Sequence, residues 1–164
     1  MKESTVQILI HNLIEQFSNV RRGKLWMGEN FEAKLSRLSG DDPFTRFDPD
    51  THCAAEIIAH LTAWRRDALL KIETGKGRLR DSDEENWPPV SFLREKGWEQ
   101  ILLEFDASLE GLLTLLRERD DAFLSQTYYD QDYQDTFQYG YLIDGLLHHD
   151  LYHLGQLGLI LKKL

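Results

Sequence analysis

The sequence predicts an all-α protein, an antiparallel four-helix bundle with an additional short helical or loop segment between its first and second helices. Two observations support this fold class. Apolar residues recur at the helical spacing i, i+3, i+4, i+7 in four long stretches. Glycine, proline and charged residues separate these stretches, and none of them alternates convincingly like a strand ladder. Four amphipathic helices in 164 residues most economically form one bundle, so a single domain over residues 1–164 is expected.

The first helix and the segment that follows it are separated by a change in composition. The helix is expected to end near Val20, and Ser4 or Thr5 can cap its N-terminus. A shorter helical piece is expected around residues 31–38. The stretch 40–50 contains two prolines and four aspartates and is therefore expected to be a loop.

The rest of the chain repeats the helical spacing. In chain order, we expect a second helix from an N-cap at Asp50 or Thr51 to about Glu73, a third helix over about 91–119, an irregular connection or short extended excursion over 125–137, and a fourth helix from about Tyr139 to the end. These helices supply the other faces of the predicted bundle.

The composition excludes several classes of partner. A net charge of −9 is unlike that of nucleic-acid-binding proteins and is unfavourable on an anionic membrane surface. The N-terminus lacks the basic start and apolar core of a signal peptide, and no segment is apolar enough for a membrane span. The chain has one cysteine, Cys53, and so no intramolecular disulfide, which fits a reducing compartment. We therefore expect a cytoplasmic protein without nucleic-acid or membrane partners.

The last predicted helix carries His149 and His153, four residues apart. At this spacing two imidazoles project from one helix face and can reach one metal ion at about 2.0–2.1 Å. At about 100° per residue both lie at one edge of the apolar face, whereas His148 points to the opposite, solvent side. Of the two consecutive histidines, only His149 therefore lies on the helix face from which it could bind a metal ion together with His153.

A metal site needs a third ligand, and His60 is the candidate. It lies at the margin of the apolar face of the second helix, and metal sites in bundles take their ligands from facing helices. Three neutral imidazoles would leave coordination positions open, as in catalytic sites. The residues alone leave a second interpretation open, in which these are interfacial histidines satisfied by hydrogen bonds.

Several residues near the histidines have alternative interpretations. Asp150 falls inside the apolar face, where it either pairs with a core-facing Tyr, Trp or Arg or orients a ligand histidine. Glu56 and His52 are expected beside the site or at the surface. Gln156 could hydrogen-bond across the bundle or line the pocket floor. Cys53 is either a small buried apolar residue or a thiolate.

The four tryptophans are expected to be core or loop-anchoring residues. They are Trp26, Trp64, Trp87 and Trp98. Trp64 could also wall a pocket near His60, since the two are four residues apart on one helix.

The sequence resembles the DinB-like superfamily. Its C-terminal stretch GLLHHDLYHLGQLGLILKK is similar to that family's H-x-x-x-H-x-G-Q helix, with His149, His153, Gly155 and Gln156 at the motif positions. AAEIIAHLTAWR, Trp87-Pro88 and Trp98 also resemble this family, and the resemblance spans nearly the whole chain. It implies a four-helix bundle, commonly a homodimer, with a divalent metal held by His60, His149 and His153.

The resemblance also implies a function. Some members are metal-dependent transferases that activate a low-molecular-weight thiol, and others are described as metal-dependent hydrolases. We therefore expect a thiol S-transferase or related hydrolase that uses zinc or nickel and a small-molecule substrate. Glu56 is the expected general base and Asp150 the orienting carboxylate. The alternatives are a non-catalytic metal-binding or stress-response dimeric bundle and a small-ligand carrier.

Overall fold

The structure, a computed structural model, describes residues 7–164 as a helical protein with one small hairpin. The helices are α1 (Ile8–Arg22), α2 (Phe31–Leu35), α3 (Ala54–Thr74), α4 (Val90–Lys96), α5 (Trp98–Arg117) and α6 (Tyr139–Leu161), the strands are β1 (Thr127–Asp130) and β2 (Asp135–Gln138), and short 3-10 turns span Asp42–Phe44 and Asp121–Ser125. None of the helices in this range is long and apolar enough to span a bilayer.

The four long helices α1, α3, α5 and α6 form the predicted bundle. Both α1 and α3 pack against α5 and α6, so α1 lies across the bundle from α3. All four helices contribute side chains that are at most 1% exposed, such as Phe17, Ile58, Phe105 and Ile143. Burying a side chain of this size contributes about 1.5–3 kcal/mol. The predicted all-α four-helix bundle is confirmed.

The start of α3 differs from the expected one. Cys53, not Asp50 or Thr51, is the N-cap residue, and its N–H donates to the Glu56 carboxylate at 2.9 Å. This contact is half of a capping box, which satisfies a backbone donor that the helix leaves free. The N–H groups of Asp50 and Thr51 instead donate to Asp48, in a turn before the helix.

The expected third helix over 91–119 is interrupted at Gly97. The backbone there has a φ of +87°, in the left-handed region that residues with a Cβ rarely adopt. The Gly97 N–H still donates to the Leu93 carbonyl at 3.0 Å, which ends α4, and α5 begins at Trp98. The periodicity continues across this break, so apolar spacing alone could not locate it.

The hairpin corrects the expectation that the chain forms no strand ladder. Residues 127–138 pair as two antiparallel strands of four residues, with Tyr128 opposite Phe137. The Tyr129 N–H donates to the Gly75 carbonyl at 2.9 Å, and the Tyr128 ring lies 5.4 Å from that of Tyr139. These contacts join the hairpin to the ends of α3 and α6. Tertiary packing therefore stabilises strands that are too short to show a clear pattern.

The expected additional segment between the first two long helices is present. It contains α2, which buries Phe31 and Leu35. Trp26 precedes it and is fully exposed, so its expected role as a core or anchoring residue is wrong. Ser4 and Thr5, the expected caps of the first helix, lie outside the described residues.

Candidate metal centre

Helices α3 and α6 bring three histidines together. The Nε2 atom of His149 lies 2.9 Å from Nε2 of His60 and 2.9 Å from Nε2 of His153. Among residues 7–164 these are the only three His, Cys, Asp or Glu side chains that converge in a way that could hold a metal ion. The i, i+4 spacing on α6 places two of the rings on one face, and the packing of α3 against α6 supplies the third.

Hydrogen bonds at the other ring nitrogens fix the orientation of two of these histidines. Nδ1 of His60 lies 3.1 Å from the backbone carbonyl of Asn86, which can only accept. His60 must therefore carry its proton on Nδ1, and its Nε2 offers a lone pair. Nδ1 of His153 likewise lies 2.7 Å from Oε1 of Gln156. Contacts of this kind are typical of histidines that bind metals.

Burial favours the neutral form of all three rings. It lowers the pKa of His60 to about 4 and the pKa of His149 to about 3, where neighbouring histidines add to the effect. The pKa of His153 is also lowered by burial, although the bond to Gln156 opposes this. A metal ion binds neutral imidazole. The donor atoms, their convergence and their neutrality thus all fit a divalent cation.

The loop before α4 forms one wall of the site. The Trp87 indole stacks on His60 at 3.8 Å between ring centroids, with 7° between the planes. Asn86 holds this loop, because its side-chain oxygen accepts from Trp64 Nε1 at 2.8 Å and its amide donates to the Asp81 carbonyl at 2.8 Å. Trp64 and Trp87 therefore both line the site, as expected for wall and anchor residues. Asn86 carried no sequence signal.

The histidines line a cavity of about 770 Å³. Its other walls come from α3, α6, the hairpin and the loop before α4; they include Trp64, Lys71, Trp87, Tyr128, Asp130, Tyr133, Tyr141 and Tyr152. Lys71 is buried there and lies 2.7 Å from Asp130 and 3.0 Å from Asp67. This volume is in the range of small-molecule sites, so the open positions of a bound metal could meet a substrate.

Glu56 is held by contacts other than the three histidines. Its carboxylate accepts from Nε and Nη2 of the Arg46 guanidinium and from the Cys53 N–H, and it lies 3.3 Å from Nδ1 of His52. Burial raises the pKa of Glu56, but these hydrogen bonds outweigh it and lower the pKa to about 2. The expected general base is therefore a fixed carboxylate that borders His52.

Asp150 is paired with an arginine. Nη2 of Arg65 donates to its Oδ2 at 2.6 Å, and both side chains are at most 2% exposed. Burial raises the pKa of Asp150, and the guanidinium opposes that change. This is one of the two roles expected from the sequence; no hydrogen bond joins Asp150 to a histidine in the part of the chain that the structure describes.

Two further expectations concern Gln156 and Cys53. Gln156 contacts His153 on its own helix and lines the cavity, so it does not bridge the bundle through this bond. Cys53 is fully buried, and burial raises the pKa of its thiol to about 11. It is a small buried residue and not a thiolate at neutral pH. His148 is exposed, as its helical phase predicted, but it also lines the rim of the cavity instead of pointing to the opposite side.

Fold and site together define a helical bundle with three convergent histidines in an open cavity. The chain belongs to the DinB superfamily, whose family model matches residues 25–157. It is similar in structure to YfiT from Bacillus subtilis, described as a probable metal-dependent hydrolase with an unusual four-helix bundle topology. The TM-score is 0.66 at 12% identity, covering 99% of this chain and 91% of that chain. No curated protein matched the sequence.

Proposed function

We propose that this protein is a metal-dependent enzyme that binds zinc or nickel through His60, His149 and His153. The convergence of three neutral Nε2 atoms in an open cavity carries this proposal. Three protein ligands leave at least one coordination position for water or substrate. Membership in the DinB superfamily and the hydrolase description of YfiT are consistent with it.

Within this class we propose a thiol S-transferase or a related hydrolase with a small-molecule substrate. A bound divalent metal lowers the pKa of a coordinated water or thiol and so provides a nucleophile near neutral pH. The chain itself contributes the neutral imidazoles and a wall of aromatic residues that partly excludes water. Further parts of the proposal are a single domain over residues 1–164, a cytoplasmic location and a homodimer.

Metal content tests the ligand set. We expect purified wild-type protein to bind one zinc or nickel ion per chain and His153→Ala to lose it. His11→Ala is the control, because this histidine is exposed on α1 and lies outside the cavity, and it should leave the metal content unchanged. Equal metal content in wild type and His153→Ala would contradict the site.

Turnover separates an enzyme from the non-catalytic bundle. The metal-loaded protein would be assayed with 4-nitrophenyl acetate and with glutathione plus 1-chloro-2,4-dinitrobenzene. We expect metal-dependent turnover of at least one of these mixtures that His153→Ala abolishes. Stoichiometric metal without any turnover would favour the non-catalytic alternative.

A further inference from the structure

His52 forms the outer layer of a three-ring stack that ends at a proposed metal ligand. Its imidazole lies 3.6 Å from Trp87 between ring centroids, with 4° between the planes, and Trp87 stacks in turn on His60. His52 is outside the convergent group of three histidines, yet it lines the same cavity. The stack therefore holds a fourth imidazole beside the metal centre without making it a ligand.

The contact with Glu56 fixes which nitrogen of His52 is free. Nδ1 lies 3.3 Å from Oε1 of Glu56, whose carboxyl is ionised because its pKa is about 2. An ionised carboxylate only accepts hydrogen bonds, so Nδ1 must carry the proton in neutral His52. Nε2 then offers a lone pair, and it has no hydrogen-bond partner within residues 7–164. Arg46 holds the carboxylate from its other side.

The side chain of His52 is accessible from two sides, so a proton can reach it from the metal site and leave it to solvent. The side chain is 40% exposed, and besides the metal cavity it lines a second cavity of about 550 Å³. That second cavity lies between the loop before α3 and the end of α6, where Phe47 and Leu159 are exposed. One imidazole thus borders the metal site on one side and a solvent-accessible surface on the other.

We propose that His52 is the general acid–base of this site and that Glu56 is its positioning residue. The proposal rests on the metal-dependent function proposed above. In the first step, Nε2 of His52 accepts the proton of the attacking water or thiol, directly or through one water. The resulting imidazolium lies beside the Glu56 carboxylate, which stabilises it as the orienting carboxylate of a catalytic triad does. The oxygen or sulfur of the nucleophile bonds to the electrophilic atom of the substrate, the bond from that atom to the leaving group breaks, and His52 returns the proton to the leaving group, so no other reactant is needed.

Charged and titratable groups face His52 from each neighbouring element. They are Glu56 on α3, Arg46, Asp48 and Asp50 in the loop before α3, Lys163 after α6, His60 on the other side of the Trp87 ring, and His153 in the same cavity. Among these, only Glu56 has a described hydrogen-bond contact with the ring of His52.

The protonation state of His52 can be measured without any substrate. Nitrogen-15 NMR of the zinc-loaded protein above the pKa of histidine should show His52 protonated on Nδ1 and unprotonated on Nε2. The opposite tautomer would overturn the proposal. Zinc affinity is the second readout: His52→Asn should bind zinc as wild type does, and a loss of affinity would make His52 a ligand and not the acid–base.

Kinetics test the proton transfer itself. With 4-nitrophenyl acetate, zinc-loaded His52→Asn should lose about 100-fold or more in kcat with little change in KM. His11→Asn, an exposed histidine on α1, is the control and should match wild type. Turnover that His52→Asn leaves unchanged would contradict the acid–base role alone. Failure of wild type to bind zinc or to turn over would contradict the proposed function, and the acid–base role with it.

Discussion

The buried ion pair between Arg65 and Asp150 leads to a large and specific stability effect. The two side chains meet at 2.6 Å and are almost completely excluded from solvent. Nε and Nη1 of Arg65 are buried and have no hydrogen-bond partner among the described residues, and its guanidinium carbon lies 4.3 Å from the centroid of the Phe105 ring. Asp150 is therefore the main polar partner of this cation. Replacing it with leucine would leave a charge buried among apolar groups.

The expected magnitude follows from this burial. Removing one partner of a buried ion pair costs about 3–5 kcal/mol in the free energy of unfolding. Since about 1 kcal/mol corresponds to roughly 2–4 °C in a domain of this size, Asp150→Leu should lower Tm by roughly 6–20 °C. Replacing both partners by apolar residues of similar volume is often neutral or stabilising. The double variant Arg65→Met with Asp150→Leu should thus recover most of the loss.

Urea unfolding of wild type, both single variants and the double variant measures this coupling. A loss below about 1 kcal/mol in Asp150→Leu, no larger than that of an average substitution, would show that Arg65 does not depend on Asp150 as its main polar partner. So would a double variant as unstable as the single ones. Zinc affinity of the folded double variant addresses the other expected role of Asp150: unchanged affinity is predicted, and lost affinity would indicate that it orients a ligand.

Three further outcomes are expected. Burial raises the pKa of Asp106, but the two arginines that end α1 outweigh burial and lower this pKa. The ionised Asp106 therefore stabilises the fold at neutral pH, and this contribution is lost as the pH falls below about 3.9. The difference in the free energy of unfolding between wild type and Asp106→Asn should accordingly shrink in acid. Gln156→Leu removes the acceptor for His153 Nδ1 and should weaken zinc binding about 10–100-fold in chelator competition. Gly97→Ala should cost about 1–3 kcal/mol in urea unfolding, because a φ of 87° with a ψ of 148° is a backbone conformation nearly confined to glycine, although space is free there. Gly155→Ala in α6 should not destabilise the protein.

The part of the site that depends on local helix geometry could be predicted from the sequence. The i, i+4 spacing of His149 and His153 and the outward phase of His148 follow from the helical repeat alone. The expected proximity of His60 required only that two amphipathic helices face each other. In the structure all three predicted ligands lie together.

The part that depends on loops could not be predicted. Asn86 contacts His60 and Trp64 because of the path of the loop before α4, which no periodic pattern determines. The sequence placed Glu56 near the site but could not show that Arg46, from the loop before α3, binds its carboxylate. The role proposed for His52 likewise depends on its contact with Glu56, which helical spacing alone does not establish. Local spacing therefore identified the three histidines that converge, whereas tertiary contacts determine which groups surround them.

The elements of the fold also divide into those that the sequence predicts and those that depend on tertiary contacts. Apolar spacing predicted the four long helices, since each buries one continuous face. The break at Gly97 depends on a backbone conformation, and the hairpin depends on aromatic packing against Tyr139; neither leaves a periodic signature.

A crystal structure of the zinc-loaded protein with anomalous scattering at the zinc edge would show whether the three histidines hold a metal ion. We expect one anomalous peak about 2.0–2.1 Å from Nε2 of His60, His149 and His153, with at least one further coordination position filled by solvent or substrate. A zinc-loaded crystal without a peak between these three atoms, or with the peak at other residues, would contradict this expectation.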